Sequence, residues 1–421
     1  MHFVLLLLLG LLLLAPVSGE LWHIPVSGFD LLPSDLLILI FLVTWIFYKI
    51  KQDPVLRLGK IGKLVVLFLF VITLTTLFNF LRFPLKEMIV ASTYLGRLGM
   101  HVILVLLVFD LLVRDRKHLV LRVTLGGMTL SMVLISLLGF LQLRYFPSFL
   151  ELGLDVQGWD PHQGRLLSTW FDPNFIGGYL AFILGITLSL TLYFFRKKGR
   201  FFWVFSVASA LGLVALYYTF SRSGYLALLA TIGILALLKS RKLVLAVIFL
   251  ALFGYFISPR VEERVNKGFE SAKALFGVSF EYALDPTARL RVESWGEAIE
   301  IIRDHPWIGV GYNRYPYEIN QRGYALLSDH DSGGSDSSLL TLWATTGILG
   351  LLSALGIGLG ALTVGFKNTW KKSDFKSYLN AGLLASFGGI MVHSIFVNSL
   401  LFAPMMVYLW VSLGLLDESG Q

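Results

Sequence analysis

Long apolar runs, separated by short polar connections, dominate this chain. Runs of roughly 20 residues with few charges are typical of helices that cross a membrane. We predict an all-α, polytopic membrane protein with about 12 transmembrane helices and a helical external loop. The predicted spans are residues 3–19, 34–50, 63–80, 88–113, 119–140, 175–195, 202–220, 223–238, 243–258, 337–365, 376–396 and 400–416.

The positive residues alternate between the two sides of this pattern. Of the 35 Lys and Arg, 20 lie in five short loops, at 49–63, 114–122, 196–200, 239–242 and 367–376. Only five lie in the short loops of the other side: Arg82, Lys86, Arg144, Arg165 and Arg222. Because cytoplasmic loops are enriched in Lys and Arg, we expect both termini in the cytoplasm and residues 259–336 outside.

The pattern divides the chain into three parts: 1–258 with nine spans and an external loop at 144–174, a large external helical loop at 259–336, and 337–421 with three spans. Apolar stripes predict one helix over 261–276 and another after the Asp285-Pro286 start signal, ending before Pro306. The first apolar run resembles a signal peptide, but no charged residue precedes it beyond His2. We therefore favour a retained span, with cleavage as the alternative.

Composition agrees with a membrane protein. The chain is 56% hydrophobic and 15% charged, whereas soluble domains carry about 25% charged residues. It has no cysteine, which excludes disulfides, thiolate catalysis and Cys-bound zinc. The net charge of +8 follows from the loop lysines and arginines, so we expect a lipid bilayer and no nucleic acid as partner.

Two arginines open the second loop helix. Arg289 and Arg291 oppose the helix dipole there, and free N–H groups with guanidinium forks suit an anion. Arg289 has an alternative partner in Glu293, four residues on. Arg291 has Trp295 at that spacing, so we favour anion binding for Arg291.

Three further polar residues lie within or beside apolar spans. Arg222 stands between two spans with almost no loop, where it binds a ligand or extends to the surface. Arg97 lies deeper, so it needs a partner or a watery cavity. His393 is more simply read as a packing or hydrogen-bonding residue.

An acidic cluster precedes the tenth span. Asp329, His330, Asp331 and Asp336 occur within SDHDSGGSDSS, where Ser335 or Asp336 is well placed to cap the next helix. Two acids followed by glycines are a weak ligand set, so we expect neither a metal nor another cofactor.

Several stretches resemble the O-antigen ligase/polymerase superfamily. They are RVESW at 291–295, HPWIGVG at 305–311, DSSLLTLWATTGILG at 336–350, the stretch 165–174, and SRSG at 221–224. The resemblance implies a multi-pass glycosyltransferase of the C-type architecture in the inner (plasma) membrane, with its active site facing the periplasm or exterior. Such enzymes transfer a glycan from undecaprenyl diphosphate to a glycan or lipid-linked acceptor, without a metal.

Arginines can stabilise a departing diphosphate by paired hydrogen bonds. We predict that Arg222 and Arg291 bind the diphosphate, with Arg165 and Arg289 assisting and Arg97 as an intramembrane candidate. One group must also take the proton of the attacking sugar hydroxyl.

The family usually has His where this chain has Asp336, and in the ligases that His is the proposed base. Here Asp336 takes the role, or His330 reaches in, or the base is dispensable. Polymerase and ligase stay equally open. A transporter or flippase for a lipid-linked anion is the alternative class, because intramembrane Arg97 and Arg222 would suit it.

Overall fold

The computed structural model describes residues 2–26, 28–52, 55, 57–115, 117–152, 162–240, 242–275, 284–324, 333–369 and 373–419. These residues form fifteen α-helices and one small hairpin. The helices are α1 (His2–Leu14), α2 (Pro33–Gln52), α3 (Lys60–Phe78), α4 (Leu85–Val113), α5 (Leu119–Tyr145), α6 (Pro173–Arg196), α7 (Phe202–Thr219), α8 (Arg222–Leu238), α9 (Lys242–Ile257), α10 (Pro259–Leu275), α11 (Pro286–Asp304), α12 (Tyr315–Gln321), α13 (Ser338–Thr369), α14 (Phe375–His393) and α15 (Ala403–Ser419). Strands β1 (Ile24–Val26) and β2 (Phe29–Leu31) pair antiparallel, with Ile24 opposite Leu31.

Each of the twelve predicted spans coincides with a helix: α1–α9 and α13–α15. Within the described residues, eight of them are long and apolar enough to cross a membrane: α1 with the turn after it, α2–α7 and α13. The other four, α8, α9, α14 and α15, have 16 to 19 residues. The predicted fold class, an all-α polytopic membrane protein, is confirmed.

Helices α6, α8 and α14 form the packed centre of the bundle. Small residues allow their backbones to approach closely, as is common between membrane helices. A Cβ on Gly177 of α6 would lie 3.3 Å from the Cα of Gly224 on α8. The start of α6 therefore lies directly against the start of α8, and both starts contribute to the site described below.

Helix α13 is broken at Gly347, whose φ of 67° and ψ of −175° are not helical. The break leaves the carbonyls of Ala344 and Thr345 open, and they accept hydrogen bonds from the N–H groups of Val310 (3.1 Å) and Gly311 (2.8 Å). The HPWIGVG stretch thus docks into the break by its backbone. This contact fixes the end of α11 to the bundle.

Helices α10–α12 occupy the segment that the sequence predicts to be one large loop. Asp285 caps α11 through the N–H groups of Thr287 and Ala288, as the start signal predicts. Ala298, Ile301 and Ile302 of α11 are buried with Val310, Tyr315, Ile319 and Ala344. Leu290 and Phe269 remain exposed, so the predicted apolar stripes of both helices are only partly covered.

Arg97 and Lys49, both buried inside the bundle, each pair with a carboxylate. Arg97 on α4 contacts Asp35 on α2, with Nη2 2.7 Å from Oδ2, and its guanidinium lies 4.0 Å from the Phe29 ring centre. Lys49 on α2 contacts Asp110 on α4 at 3.1 Å. The sequence gives no sign of the first pairing, because Asp35 and Arg97 are 62 positions apart.

Helix α1 is part of the packed body. Leu5, Leu9, Leu12 and Leu13 are fully buried, and α1 packs against α5 and α2. Beyond it, the carbonyl of Pro16 accepts a hydrogen bond from the indole of Trp170 at 2.7 Å.

Candidate functional site

Polar side chains gather where α6 and α8 begin. Asp172 caps α6 by accepting from the N–H groups of Asn174 and Phe175. The Asn174 Oδ1 accepts from Ser221 Oγ at 2.9 Å and from Arg165 Nη2 at 3.3 Å. Arg165 is buried and also donates from Nε to the carbonyl of Thr219 at 2.9 Å. Arg165 therefore braces the α6–α8 junction.

Arg222, the first residue of α8, links the bundle to α11. Its Nη1 and Nη2 donate to the two carboxylate oxygens of Asp285 at 2.6 and 2.9 Å. Ser271 on α10 donates to the same carboxylate at 2.9 Å. Burial alone would raise the pKa of Asp285, but the hydrogen bonds from Arg222 and Ser271 and the charge of Arg222 hold it well below its ordinary value.

Arg291, in the second turn of α11, differs from Arg222 in its contacts. It is only partly exposed, yet among the described residues it has no hydrogen bond and no ion pair. Burial lowers the pKa of its guanidinium, and of the charges that act on it, Asp336 has the largest effect and opposes that shift. Arginine still keeps its charge in proteins. Arg291 is therefore a partly desolvated cation with five unused N–H donors.

Asp336 lies beside α11. Its backbone N–H donates to Ser294 Oγ at 3.0 Å, and Ser294 is three residues after Arg291, on the same face of the helix. We expected Ser335 or Asp336 to cap α13, but Ser337 precedes that helix and its Oγ accepts from the N–H of Leu340 at 3.5 Å. The Asp336 carboxylate is thus not the cap.

Sequence reasoning missed two arginines on α10. Arg260 donates to the carbonyls of Gly164 and Gln163. Arg264 is partly exposed, has no hydrogen bond or ion pair among the described residues, and its Nε is buried without a partner. Burial and the charges of Arg222 and Arg260 lower its pKa. Arg260 and Arg264 are four residues apart, which places both on one helix face. This spacing is the sequence signal that could have identified them.

Two predicted arginines lie elsewhere. Arg289 is 73% exposed and pairs with Glu293 at 2.9 Å, the alternative that its spacing allowed. Arg97 pairs with Asp35 inside the bundle, so of the two alternatives, a partner or a watery cavity, the structure shows a partner. The structure does not bring either residue to the group around Arg222 and Arg291.

The structure describes only one of the two histidines considered in the sequence, His393. His330 lies outside the described residues, as do Asp329 and Asp331. His393 is fully buried, with Nδ1 3.1 Å from Ser399 Oγ, and a Cβ on Gly178 would meet its ring. His393 is therefore a packing residue that also forms a hydrogen bond, as the sequence suggests. Among the described residues, no group of three or more His, Asp or Glu is placed to hold a metal ion.

Contacts and charge effects join five arginines into one group at this end of the bundle. We call them the arginine cluster; its members are Arg165, Arg222, Arg260, Arg264 and Arg291. Asp172, Asp285 and Asp336 act on it with opposite charge. Within this group, five positive side chains against three negative ones leave an excess of two. Two of the arginines, Arg264 and Arg291, have no side-chain hydrogen bond or ion pair among the described residues. The arrangement can bind an anion next to a carboxylate.

The fold and this cluster define a multi-pass membrane protein with a cationic site where α6, α8 and α11 meet. Residues 207–355 match the family model described as O-antigen ligase. The resemblance inferred from the motifs is thereby confirmed over this stretch, which holds four members of the arginine cluster, Asp285 and Asp336. Arg165 and Asn174 lie before it.

A curated relative agrees with the family model. An O-antigen ligase of Pseudomonas aeruginosa is 33% identical to this chain over 123 residues. The matched stretch covers 28% of this chain and 28% of the relative. This chain is therefore similar to that ligase over about a quarter of the length of either protein.

Proposed function

We propose that this protein is a membrane glycosyltransferase of the O-antigen ligase or polymerase type. It transfers a glycan from undecaprenyl diphosphate to a sugar hydroxyl on the outer face of the membrane. The observation that carries the proposal is Arg291, a partly buried guanidinium without a protein partner among the described residues, with Asp336 as the charge that acts on it most. The family match over residues 207–355 supports the same class of enzyme.

Arg291 holds the diphosphate, because a guanidinium can form paired hydrogen bonds to phosphate oxygens. Arg264 adds charge from α10. Arg222 keeps its position through Asp285, and the N–H groups not used by that carboxylate remain for the ligand. Arg165 acts indirectly, because it positions Asn174 and the start of α8. Arg97 and Arg289 are not part of this proposal, because each is paired elsewhere.

In the reaction, the acceptor hydroxyl oxygen attacks the anomeric carbon from the face opposite the diphosphate. The new carbon–oxygen bond forms as the bond to the diphosphate breaks, and the configuration inverts. Asp336 takes the hydroxyl proton, which a carboxylate can do late in the step. The charge that develops on the leaving diphosphate is stabilised by the arginine cluster, which is pre-arranged for it. His330 is the reserve base.

The test is glycan transfer by the purified full-length protein in detergent, given a lipid-linked oligosaccharide and a defined sugar acceptor. A larger product is expected, together with release of undecaprenyl diphosphate. A ligase requires the added sugar acceptor, whereas a polymerase can join one lipid-linked chain to another. The length of the product separates a polymerase, which gives a ladder, from a ligase, which makes a single addition. Absence of any product from the folded protein with matched substrates contradicts the proposal.

A transporter or flippase is less well supported than at the sequence level. Its main argument was the presence of Arg97 and Arg222 within apolar spans. Both are held by carboxylates, Asp35 and Asp285, so they no longer stand as free intramembrane cations. Transfer in detergent also separates the two classes, because a transporter needs two compartments.

A further inference from the structure

A cavity lies at the opposite end of the bundle from the arginine cluster. It runs between α5 and α7 to the start of α14 and has a volume of about 1320 Å³. Its walls are mostly apolar and include Leu125, Leu130, Val133, Phe205, Val207 and Leu211. The volume exceeds the roughly 300–1,000 Å³ of ordinary small-molecule pockets. We call it the α5–α7 groove.

The groove opens sideways, toward the lipid. Trp203 and Val207 on α7 are 71% and 64% exposed, and Leu130 on α5 is 46% exposed. Such side chains along two predicted membrane spans face acyl chains rather than water. The apolar part of an occupant can therefore enter from the bilayer.

The rim of the groove is basic. Arg122, Arg200 and Lys376 lie on it, together with Asp115 and Glu418. Glu418 pairs with Lys376 at 3.5 Å, and Asp115 accepts from the N–H of Val120 at 2.6 Å. These three positive and two negative groups leave an excess of one positive charge.

Two of the rim cations, Arg122 and Arg200, have side chains without a hydrogen bond or an ion pair among the described residues. The Arg200 guanidinium lies 4.9 Å from the Phe201 ring centre. Both belong to the loops that the charge distribution places in the cytoplasm. They would therefore meet the headgroups of the cytoplasmic leaflet.

Asn380 supplies the independent observation. It lines the groove and is completely buried, and neither its Oδ1 nor its Nδ2 has a hydrogen-bond partner among the described residues. A buried amide without partners costs free energy. It lies five residues into α14, about 8 Å along the axis from Phe375 at 1.5 Å per residue. A ligand group at that depth would satisfy it.

We propose that the α5–α7 groove binds an anionic glycerophospholipid of the cytoplasmic leaflet. The headgroup phosphate lies between Arg122 and Arg200, as basic pockets between membrane helices hold anionic headgroups. The Asn380 amide donates to an ester carbonyl of the glycerol backbone, and the acyl chains follow α5 and α7. The charge left on the rim explains the preference for an anion, and the buried amide explains why a lipid with ester groups is chosen.

The test is native mass spectrometry of the full chain released from nanodiscs of equal parts phosphatidylglycerol and phosphatidylcholine. The wild type should retain phosphatidylglycerol in preference to phosphatidylcholine. Arg122→Gln with Arg200→Gln should reduce that preference about 25-fold, given roughly a fivefold effect for each of the two charges near a lipid surface. The matched control is Lys197→Gln with Lys198→Gln. These two exposed lysines lie in the loop of Arg200 but do not line the groove. It should keep the preference.

Asn380→Leu is the second arm. It should weaken retention of both lipids, because the ester contact is common to them. It should also raise the unfolding temperature of the delipidated protein, because an unpaired buried amide is replaced by an apolar group of similar size.

Three outcomes would overturn the proposal. One is an unchanged preference in the arginine double variant, and another is an equal loss in the lysine control, which would indicate a general surface effect. The third is displacement of phosphatidylglycerol by undecaprenyl phosphate at equal concentration, since that lipid has no ester carbonyl. None of these outcomes depends on glycan transfer, so this proposal and the proposed function can fail separately.

Discussion

Arg222 holds Asp285 with both ends of its guanidinium, at 2.6 and 2.9 Å. Arg291, six residues after Asp285 along the chain, has no equivalent carboxylate pair in the part of the chain that the structure describes. Arg222, in the SRSG stretch, and Arg291, in the RVESW stretch, are therefore not equivalent. Arg222 joins α8 to α11, whereas Arg291 presents unused donors at the site.

The first prediction follows from the unused donors of Arg291. Arg291→Ala should reduce glycan transfer about a hundredfold to a thousandfold, the scale of one lost electrostatic donor. Arg291→Lys should remain impaired, because the charge stays but the fork is lost. Arg289→Ala is the matched control, since Arg289 is on the same helix but 73% exposed. Turnover is measured on folded, purified protein, and equal activities of the Arg291 and Arg289 variants would remove Arg291 from the site.

The second prediction separates the two roles of Arg222. Asp285→Asn leaves Arg222 partly buried and unpaired, so it should lower the stability by about 1–3 kcal/mol. Adding Arg222→Gln should recover part of that loss, because the two sites are coupled. Activity should not recover in the double variant if Arg222 also binds the diphosphate. A double variant with wild-type turnover would make Arg222 a purely structural residue.

The sequence predicts the helices better than it predicts the pairing of charges. Apolar runs locate the twelve helices that were predicted as spans, and the Asp-Pro pairs at 172–173 and 285–286 mark the starts of α6 and α11. These are local signals. Arg97 and Arg222 find their carboxylates 62 and 63 positions away, and only the packing of the helices determines such contacts.

The docking of HPWIGVG also depends on distant residues. Its glycines suggest tight turns, but their partner is the break at Gly347, in another helix. By contrast, the Arg289–Glu293 pair follows directly from i, i+4 spacing and is found. The same spacing rule leaves Arg291 without a local acid. Local geometry is therefore predictable at this site, whereas the pairing of Arg222 with Asp285 and the contribution of Arg264 require the fold.

The third prediction concerns pH. The pKa of Asp285 is depressed in the folded state, so the charged form contributes stability that is fully present above its ordinary pKa of 3.8. That contribution is lost only as the pH falls below this value. The difference in unfolding temperature between wild type and Asp285→Asn should be constant from neutral pH to about pH 4 and shrink below it. A difference that disappears already between pH 7 and 5 would contradict the depressed pKa.

The fourth prediction tests the break in α13. A Cβ at Gly347 would lie 2.1 Å from the carbonyl oxygen of Trp307, and its φ and ψ suit only glycine. Gly347→Ala should therefore destabilise the protein by at least about 1–3 kcal/mol and displace residues 305–311, with loss of transfer. Gly356→Ala, in the same helix with open space around its Cβ position, should be neutral or stabilising. Similar unfolding temperatures for both variants would show that the break is not required.

The last prediction concerns the base. Because Ser337 and not Asp336 caps α13, Asp336→Asn removes a charge and a proton acceptor without uncapping the helix. We expect the variant to fold normally and to lose most of the transfer, since general bases contribute about a hundredfold to ten-thousandfold. The rate of the wild type should stay flat down to mildly acidic pH, whereas a His base would lose activity below a pKa near 6.5. If Asp336→Asn kept full activity while His330→Ala lost it, the role would pass to His330. If both variants kept full activity, the proton would need no protein base, and catalysis would depend on the arginine cluster alone.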